Sequence, residues 1–271
     1  MKKTKTAMVL VVSIALLTVM TGTAMAAYTI DGDLDDWGVH PPGSWYASSP
    51  AKSAVENWGD GPNSDSISPG IEECDIEAMY VDEDVSGPYI YIAIITSMPP
   101  EGVDYTCGSG SIHLISGDLA LDFDNDGIYE YGVKLTDDSR TVPGDIGDVF
   151  SNPTWVKITT QCAQSQLAFS NIDSGTKTGH ATIVYTNYAD WSWDNGAANY
   201  VIEMKIPKSA LGISTEGEVD LCATVSCTND VITIKDFHYT EIPEFATIAL
   251  PLAATIGLFI YFDSRRKREE E

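Results

Sequence analysis

Basic residues are scarce in this sequence. The 271 residues include 15 Lys and Arg against 40 Asp and Glu, and between residues 27 and 242 the numbers are 8 and 35, a net charge of −27. A field of this sign repels nucleic acid and anionic lipid, so no nucleic-acid partner is expected. A strongly negative charge favours the binding of divalent cations, or it keeps the protein soluble in high salt or on a crowded surface.

Recognisable catalytic motifs are also lacking. The sequence has no G-x-S-x-G and no H-E-x-x-H, and its four His residues are scattered. With so many carboxylates, any two of them can be read as a glycosidase pair, so that pattern has no specificity. The sequence therefore predicts a protein that is not an enzyme and assigns no catalytic residue.

Cysteine is present five times, but never as C-x-x-C, which argues against a structural zinc site. An exported chain can oxidise its thiols, so disulfides are expected. Cys222 and Cys227 are five residues apart in one apparent strand, roughly 16 Å if extended, which exceeds disulfide reach. We expect them to point to opposite faces and to have separate partners, unless the strand bends between them. One cysteine is left over, and the connectivity stays open.

No segment before the C-terminal tail carries a long helical periodicity. Short runs rich in β-branched and aromatic residues alternate instead with turn residues, which predicts an all-β fold, an antiparallel two-sheet sandwich spanning residues 27–240. Proline opens and glycine closes one expected helical turn at residues 207–211. Residues 41–70 read as a long surface excursion. The predicted strands are 71–81, 89–96, 112–123, 128–135, 155–160, 181–186, 200–206, 219–225 and 231–239.

Both ends of the sequence point to export. Residues 1–26 have a lysine-rich start, an apolar run and Ala24-Met25-Ala26, the pattern of a cleaved signal peptide. Residues 245–262 are uncharged and mostly apolar, and at about 1.5 Å per residue they span roughly 27 Å, close to the hydrocarbon thickness of a bilayer. The basic cluster Arg265, Arg266, Lys267 and Arg268 follows at once and is expected to stay cytoplasmic. We therefore predict an extracytoplasmic body and a transmembrane helix in the tail, residues 241–271.

The sharpest local motif is DFDNDGIYE, residues 122–130. Carboxylates at alternate positions followed by glycine are how a loop surrounds Ca²⁺ with oxygen ligands. Three converging carboxylates also repel one another without a cation. An EF-hand is not expected, because Val133 stands at the twelfth position and the flanks are strand-like; an acidic β-turn is the alternative. The predicted ligands are Asp122, Asp124, Asp126, the Ile128 carbonyl and Glu130.

Two further clusters are weaker candidates. Trp191 and Trp193 lie on one side of an extended segment, where they can stack on sugar rings while Asp194 and Asn195 bond hydroxyls. The alternative for Trp191 and Trp193 is that one or both close the end of the sandwich. Trp45 and Trp58 are secondary candidates for the same polysaccharide-binding role. Near the N-terminus, Ile30, Leu34 and Trp37 are expected to enter the core. The acidic residues between them read either as a solvated turn or as a second metal site: Asp31, Asp33, Asp35 and Asp36.

Several segments resemble known families. Residues 29–37 (TIDGDLDDW), the predicted hairpin 75–81 and 89–93, and residues 200–212 (YVIEMKIPKSALG) resemble carbohydrate-binding module family 9 and the related DOMON-like domains. That resemblance implies a jelly-roll-like sandwich that binds sugar, binds haem, or only packs. A haem would need axial ligands such as His113, His180, His238 or Met79. No family sugar-binding pattern matches residue by residue.

The tail resembles the PEF-CTERM sorting signal of archaeal surface proteins. Pro243, Glu244 and Phe245 precede the apolar span, and the basic residues follow it. The resemblance implies processing by an archaeosortase-type transpeptidase, which would remove the tail and join the new C-terminus to a lipid. The expected location is the cell surface, by a retained single-pass helix or by such a lipid.

Overall fold

The structure is a computed structural model. It describes residues 28–41, 43–56, 74–84, 87–107, 110–156, 170–188, 199–228 and 230–241, together with residues 256, 257 and 260. The predicted signal peptide lies outside these residues, as does nearly all of the predicted transmembrane segment.

The described residues form thirteen β-strands and one short 3₁₀ turn, Asp35–Trp37. The strands are β1 (Lys52–Val55), β2 (Ile76–Glu83), β3 (Tyr89–Thr96), β4 (Val103–Cys107), β5 (Gly110–Leu114), β6 (Leu119–Asp122), β7 (Tyr131–Val133), β8 (Asp148–Val156), β9 (Asn171–His180), β10 (Thr182–Asn187), β11 (Tyr200–Pro207), β12 (Gly217–Thr224) and β13 (Val231–Tyr239).

All strand pairs are antiparallel, and they make two main sheets. The first sheet has the order β1-β2-β3-β11-β10, and the second has the order β13-β12-β6-β7-β8-β9. Strands β4 and β5 form a separate hairpin. The all-β, antiparallel, sandwich-like prediction is confirmed at this level.

The main core lies between the two sheets. Strand β2 alternates, so that Met79 and Val81 face the second sheet while Ala78 and Tyr80 belong to another cluster on the opposite face. The second sheet contributes the buried side chains of Leu121 and other alternating residues. Because both faces of the first sheet are covered at its centre, strands β2 and β3 are almost continuously buried, whereas the edge strands β1 and β10 are only partly buried.

The outer face of the first sheet is covered by residues 28–51. Leu34, Trp37 and Val39 are fully buried there, and the Tyr28 ring stacks on Trp37 with a centroid distance of 4.0 Å. The prediction that Leu34 and Trp37 enter a core is therefore confirmed. The predicted surface excursion, residues 41–70, is described at residues 41 and 43–56, where Trp45 is buried in this cover and residues 52–55 form the edge strand β1. Residues 57–70 lie outside the described residues.

The chain passes directly from one sheet to the other at Ala181. Strand β9 ends at His180 in the second sheet and β10 begins at Thr182 in the first. The Ala181 N–H donates to the Gly147 carbonyl at 2.7 Å, which fixes the corner. Near the other edge of the sandwich, β13 lies against β1 and β2.

Some local predictions are wrong. Residues 207–211 form consecutive turns with i→i+3 bonds rather than a helix, although Gly212 closes them with φ +66° as expected. The run 112–123 is interrupted between β5 and β6, where the Asp118 carboxylate accepts the Leu135 and Ile172 N–H groups of neighbouring chain segments. A buried side-chain acceptor replaces the strand ladder at that point.

Cys74, Cys222 and Cys227 are buried and form no disulfide with one another. Strand β12 ends at Thr224, so the chain turns between Cys222 and Cys227. The predicted disulfides are not seen among these three residues. Cys162 lies outside the described residues, as does the side chain of Cys107.

No helix in the described part of the chain has the length and apolar character needed to cross a membrane. Within the predicted span, residues 245–262, the structure describes only Ile256, Gly257 and Ile260, and all three are helical. The transmembrane helix therefore stays a prediction.

Candidate metal centre

The acidic motif connects two paired strands of the second sheet. Strand β6 ends at Asp122, β7 begins at Tyr131, and Leu121 pairs with Tyr131. We call residues 122–130 the acidic loop. Its strand flanks are as predicted, and they bring the two ends of the loop together.

Asp122 organises the acidic loop from inside. Its side chain is only 4% exposed. One carboxylate oxygen accepts the Asn125 N–H at 2.7 Å and the other accepts the Gly127 N–H at 2.8 Å. Asn125 and Gly127 have φ of +57° and +86°, left-handed values that Asn and Gly adopt at low cost. The loop therefore winds around the Asp122 carboxylate.

The remaining carboxylates are held by short local hydrogen bonds. Asp124 accepts the Asp126 N–H at 3.3 Å, and Asp126 accepts the Ile128 N–H at 2.7 Å. Glu130 reaches back across the loop and accepts the Phe123 N–H at 2.7 Å. Each of these bonds occupies one carboxylate oxygen, and each oxygen has further acceptor capacity.

These bonds bring four of the five predicted ligand residues together. Asp122, Asp124, Asp126 and Glu130 each offer one oxygen, and all four oxygens lie within 4.8 Å of one another. Ca²⁺ binds oxygens at 2.3–2.6 Å, so ligands on opposite sides of the ion are about 4.6–5.2 Å apart. The spacing and the all-oxygen donor set fit Ca²⁺. The fifth residue, Ile128, lies in the same loop with its side chain 66% exposed.

The electrostatics of the loop favour a cation. Partial burial raises the pKa of Glu130, and the nearby charges of Asp124 and Asp122 raise it further, against the Phe123 N–H bond that lowers it. A raised carboxyl pKa means that the ionised form is disfavoured when no positive charge is near. A divalent ion among these oxygens would reverse that preference.

Aromatic contacts fix the acidic loop to the last strand of the body. The Phe123 ring meets the rings of Tyr131 and Tyr239 edge to face, with centroid distances of 5.4 and 5.5 Å. Tyr239 is the last residue of β13. The loop and the C-terminal exit of the body therefore share one end of the second sheet.

The acidic segment near the N-terminus, residues 31–36, is attached to the first sheet by hydrogen bonds. The Glu203 carboxylate, fully buried on β11, accepts the Trp37 indole N–H at 2.9 Å and the Asp31 and Gly32 N–H groups at 3.0 and 2.9 Å. Asp31 and Asp33 accept backbone N–H groups two residues ahead. Among the described residues, the group able to hold a metal is the one in the acidic loop; Asp31, Asp33, Asp35 and Asp36 do not form a second one.

Sequence reasoning missed a polar cluster at the sheet corner. Asp148, only 1% exposed, accepts from His180 Nδ1 at 2.9 Å and pairs with Lys177 at 2.6 Å. The lysine and histidine bonds outweigh burial and lower the pKa of Asp148. No local signal predicts this cluster, because Asp148 is 32 residues from His180. A cavity of about 540 Å³ opens beside it, lined by Pro100, Leu135, Ile146, His180, Thr182, Ile183 and Tyr185.

The predicted sugar-binding residues Trp191, Trp193, Asp194 and Asn195 lie outside the described residues, as does Trp58. Trp45 is described and is only 3% exposed within the cover of the first sheet. Its proposed role as a sugar-stacking surface is therefore wrong. Of the possible haem ligands, Met79 is buried in the main core, while His113 and His180 are hydrogen-bonded to Asp104 and Asp148.

Comparison with known proteins bears on the C-terminal tail. No curated protein and no solved structure matches the chain, so the resemblance of the body to carbohydrate-binding module family 9 and DOMON-like domains stays a prediction. Residues 242–267 match the PEF-CTERM archaeal protein sorting domain. The match includes Pro243, Glu244, Phe245, Arg265, Arg266 and Lys267 and ends before Arg268, all of them outside the described residues. It indicates a membrane-associated, cell-surface protein that is sorted through its C-terminal segment.

Proposed function

We propose that this chain is a non-catalytic surface protein whose exported β-sandwich binds Ca²⁺ in the acidic loop and serves a binding or envelope-structural role. An archaeosortase-type transpeptidase would process the tail that carries the matched sorting segment. The observation that supports the metal site best is the convergence of four carboxylate oxygens within 4.8 Å in one strand-to-strand loop.

Calcium fits this loop better than magnesium. Mg²⁺ holds its ligands at 2.0–2.1 Å, so opposite oxygens are about 4.2 Å apart, and it keeps several waters. Mg²⁺ is usually held by one or two carboxylates, whereas four carboxylate residues converge in the acidic loop, which suits the larger and more variable ligand sets of Ca²⁺. Extracellular calcium modules have dissociation constants of about 10⁻⁴–10⁻³ M, and a similar affinity is expected here.

The cluster of Asp148, Lys177 and His180 at the sheet corner is the described group that most resembles catalytic residues. Asp148 and His180 form a hydrogen-bonded pair of the kind that supports a general base. Within the described residues, however, no hydroxyl or thiol is hydrogen-bonded to His180, whose recorded partner is Asp148. Lys177 shares the same carboxylate and competes for it. The cluster is better explained as the ion pair that fixes the beginning of β8 to the end of β9.

Thermal unfolding with calcium and with chelator tests the metal site. Ca²⁺ at about 100 times its dissociation constant stabilises the native state by about 2.7 kcal/mol. For a body of this size, that corresponds to a rise of roughly 5–10 °C in Tm. Asp124→Asn with Asp126→Asn should abolish the rise, since Asn keeps the local acceptors but removes two charges.

A matched control is available in the N-terminal segment. Asp31 and Asp33 make the same local hydrogen bonds as Asp124 and Asp126 but lie outside the metal-ligand group. Asp31→Asn with Asp33→Asn should leave the calcium response unchanged. In chelator, the acidic-loop variant should be at least as stable as the wild type, because repulsion is relieved. Equal melting curves with calcium and chelator for the wild type would reject the site.

Polysaccharide binding and haem binding stay as alternative predictions. The first depends on Trp191 and Trp193, and glycan-array binding that is lost in the Trp191→Ala, Trp193→Ala variant would support it. The second would require a Soret absorbance in the purified protein. The geometry of the described residues favours neither over the calcium site.

A further inference from the structure

The body is fixed at its C-terminal exit, directly before the sorting segment. The Thr240 N–H donates to both Glu83 carboxylate oxygens, at 3.0 and 2.9 Å, and the Thr240 carbonyl accepts from Lys208 Nζ at 3.1 Å. Lys208 and Glu83 form a 2.7 Å ion pair with side chains 0% and 6% exposed. A buried pair held by further hydrogen bonds resists local opening. The fold therefore holds the chain as far as Thr240.

Few residues separate this fixed point from the segment that directs the protein to the membrane. The sorting match begins at residue 242, and the apolar run predicted to span the membrane begins at residue 245, five residues after Thr240. At about 3.5 Å per extended residue, five residues reach about 17 Å. A retained span would therefore keep the end of the body from which β13 exits near the membrane surface.

The acidic loop lies at this same end. Asp122 pairs with Asp220 and Gly217 pairs with Tyr239, so the loop beyond Asp122 extends in the direction in which β13 runs out. The contact of Phe123 with Tyr239 confirms that the two are adjacent.

This end also carries an exposed apolar side chain. Ile128 is 66% exposed, and the other large exposed hydrophobic residues of the described body are Tyr46 and Ile146. Exposed carboxylates lie on the same loop, at Asp124 and Asp126, and beside the chain exit, at Glu216 and Glu241. Without a cation, these carboxylates repel the phosphates of an anionic lipid surface.

We propose that this end of the sandwich is a calcium-dependent contact surface for anionic lipid headgroups, with Ile128 as its apolar contact. The location of the chain exit supports the orientation, and the role of calcium rests on the metal site proposed above. A loop-bound Ca²⁺ neutralises part of the carboxylate charge and can accept a lipid phosphate oxygen as a further ligand. Ile128 then meets the boundary between headgroups and acyl chains, where an isolated apolar side chain is favoured.

Headgroup quenching tests the proposal on the full chain. A fluorescent apolar amino acid replaces Ile128 or, as the matched control, the exposed Ile146, which precedes β8 at the opposite end of the second sheet from the acidic loop. Each protein is reconstituted into vesicles of phosphatidylcholine and phosphatidylglycerol that contain nitroxide-labelled headgroups. With calcium, quenching should be several-fold stronger at position 128 than at 146. Chelator, or Asp124→Asn with Asp126→Asn, should remove the difference.

The outcomes separate this proposal from the metal site itself. Equal quenching at the two positions, or none at 128 in the presence of calcium, would overturn the contact surface. If the same sample still melts at a higher temperature with calcium, the metal site stands and the lipid contact alone fails. Quenching at position 128 that persists in chelator would show that the lipid contact does not depend on calcium, and would overturn the proposed role of Ca²⁺ in it. If the melting curve is also unchanged by calcium, the proposed metal site fails with it.

Discussion

Glu203 offers a quantitative test of how the N-terminal segment is attached to the sandwich. Its carboxylate is fully buried and satisfies three donors: the Trp37 indole and the Asp31 and Gly32 amides. Burial raises the pKa of Glu203 although all three donors lower it, so the ionised group depends on these bonds. Glu203→Gln keeps the shape of the side chain but removes its charge and one acceptor.

The structure sets the magnitude of the loss. If the glutamine oxygen takes the place of the carboxylate oxygen that accepts the Asp31 and Gly32 N–H groups, those two donors stay paired. The glutamine NH₂ group then faces the Trp37 indole N–H. That buried donor is then unpaired, which costs about 1–3 kcal/mol, and the two remaining bonds lose their charge assistance. Relief of the buried charge offsets part of this. The expected net loss is about 2–4 kcal/mol of unfolding free energy, out of a typical total of 5–15 kcal/mol.

Chemical denaturation at neutral pH measures this loss, and limited proteolysis of residues 28–51 shows whether the cover is released. Glu218→Gln is the matched control, since Glu218 is exposed on the neighbouring sheet and should change stability by less than about 0.5 kcal/mol. A Glu203→Gln protein as stable and as protease-resistant as the wild type would refute the role of Glu203 in attaching the cover.

Two other predictions concern buried charges. Burial, reinforced by the charges of Asp75 and Glu56, raises the pKa of Asp230 from 3.8 to about 8. The folded state binds the Asp230 proton more tightly than the unfolded chain does, so the protonated carboxyl stabilises the fold. This stabilisation is complete below pH 3.8 and is lost as the pH rises toward 8. The unfolding free energy, measured by denaturation at about pH 5 and about pH 8, should therefore change less between these two pH values for Asp230→Asn than for the wild type. An equal change in the two proteins would contradict this reasoning. Lys208→Met leaves Glu83 as a buried, uncompensated charge and should cost about 3–5 kcal/mol, whereas adding Glu83→Gln should recover much of the loss. Denaturation of the single and double variants checks this, and equal losses would count against the ion pair.

The parts of the fold that sequence predicts are those with local signals. Strands β2, β3 and β11 are rich in β-branched and aromatic residues and are bounded by turn residues, so their existence follows from composition. The acidic loop is predicted for a similar reason, because its carboxylates and glycine stand within nine residues. Four of its five predicted ligand residues converge as expected.

The parts that sequence misses depend on distant contacts. Strand β9 is polar and largely exposed, and it is a strand because it pairs with β8 at the sheet edge. The short strand β1 lies in a Pro- and Gly-rich region and is fixed by pairing with β2. Glu203 is more than 160 residues from its three donors, and no pattern within one segment predicts that meeting.

The measurement that tests the central claim most directly is equilibrium dialysis of the purified protein against radioactive calcium. The account predicts one ion bound per chain to the wild type and to Asp31→Asn with Asp33→Asn, with no binding at that site after Asp124→Asn with Asp126→Asn. A wild-type protein that retains no calcium at millimolar concentration, or an acidic-loop variant that binds as much as the wild type, would contradict it.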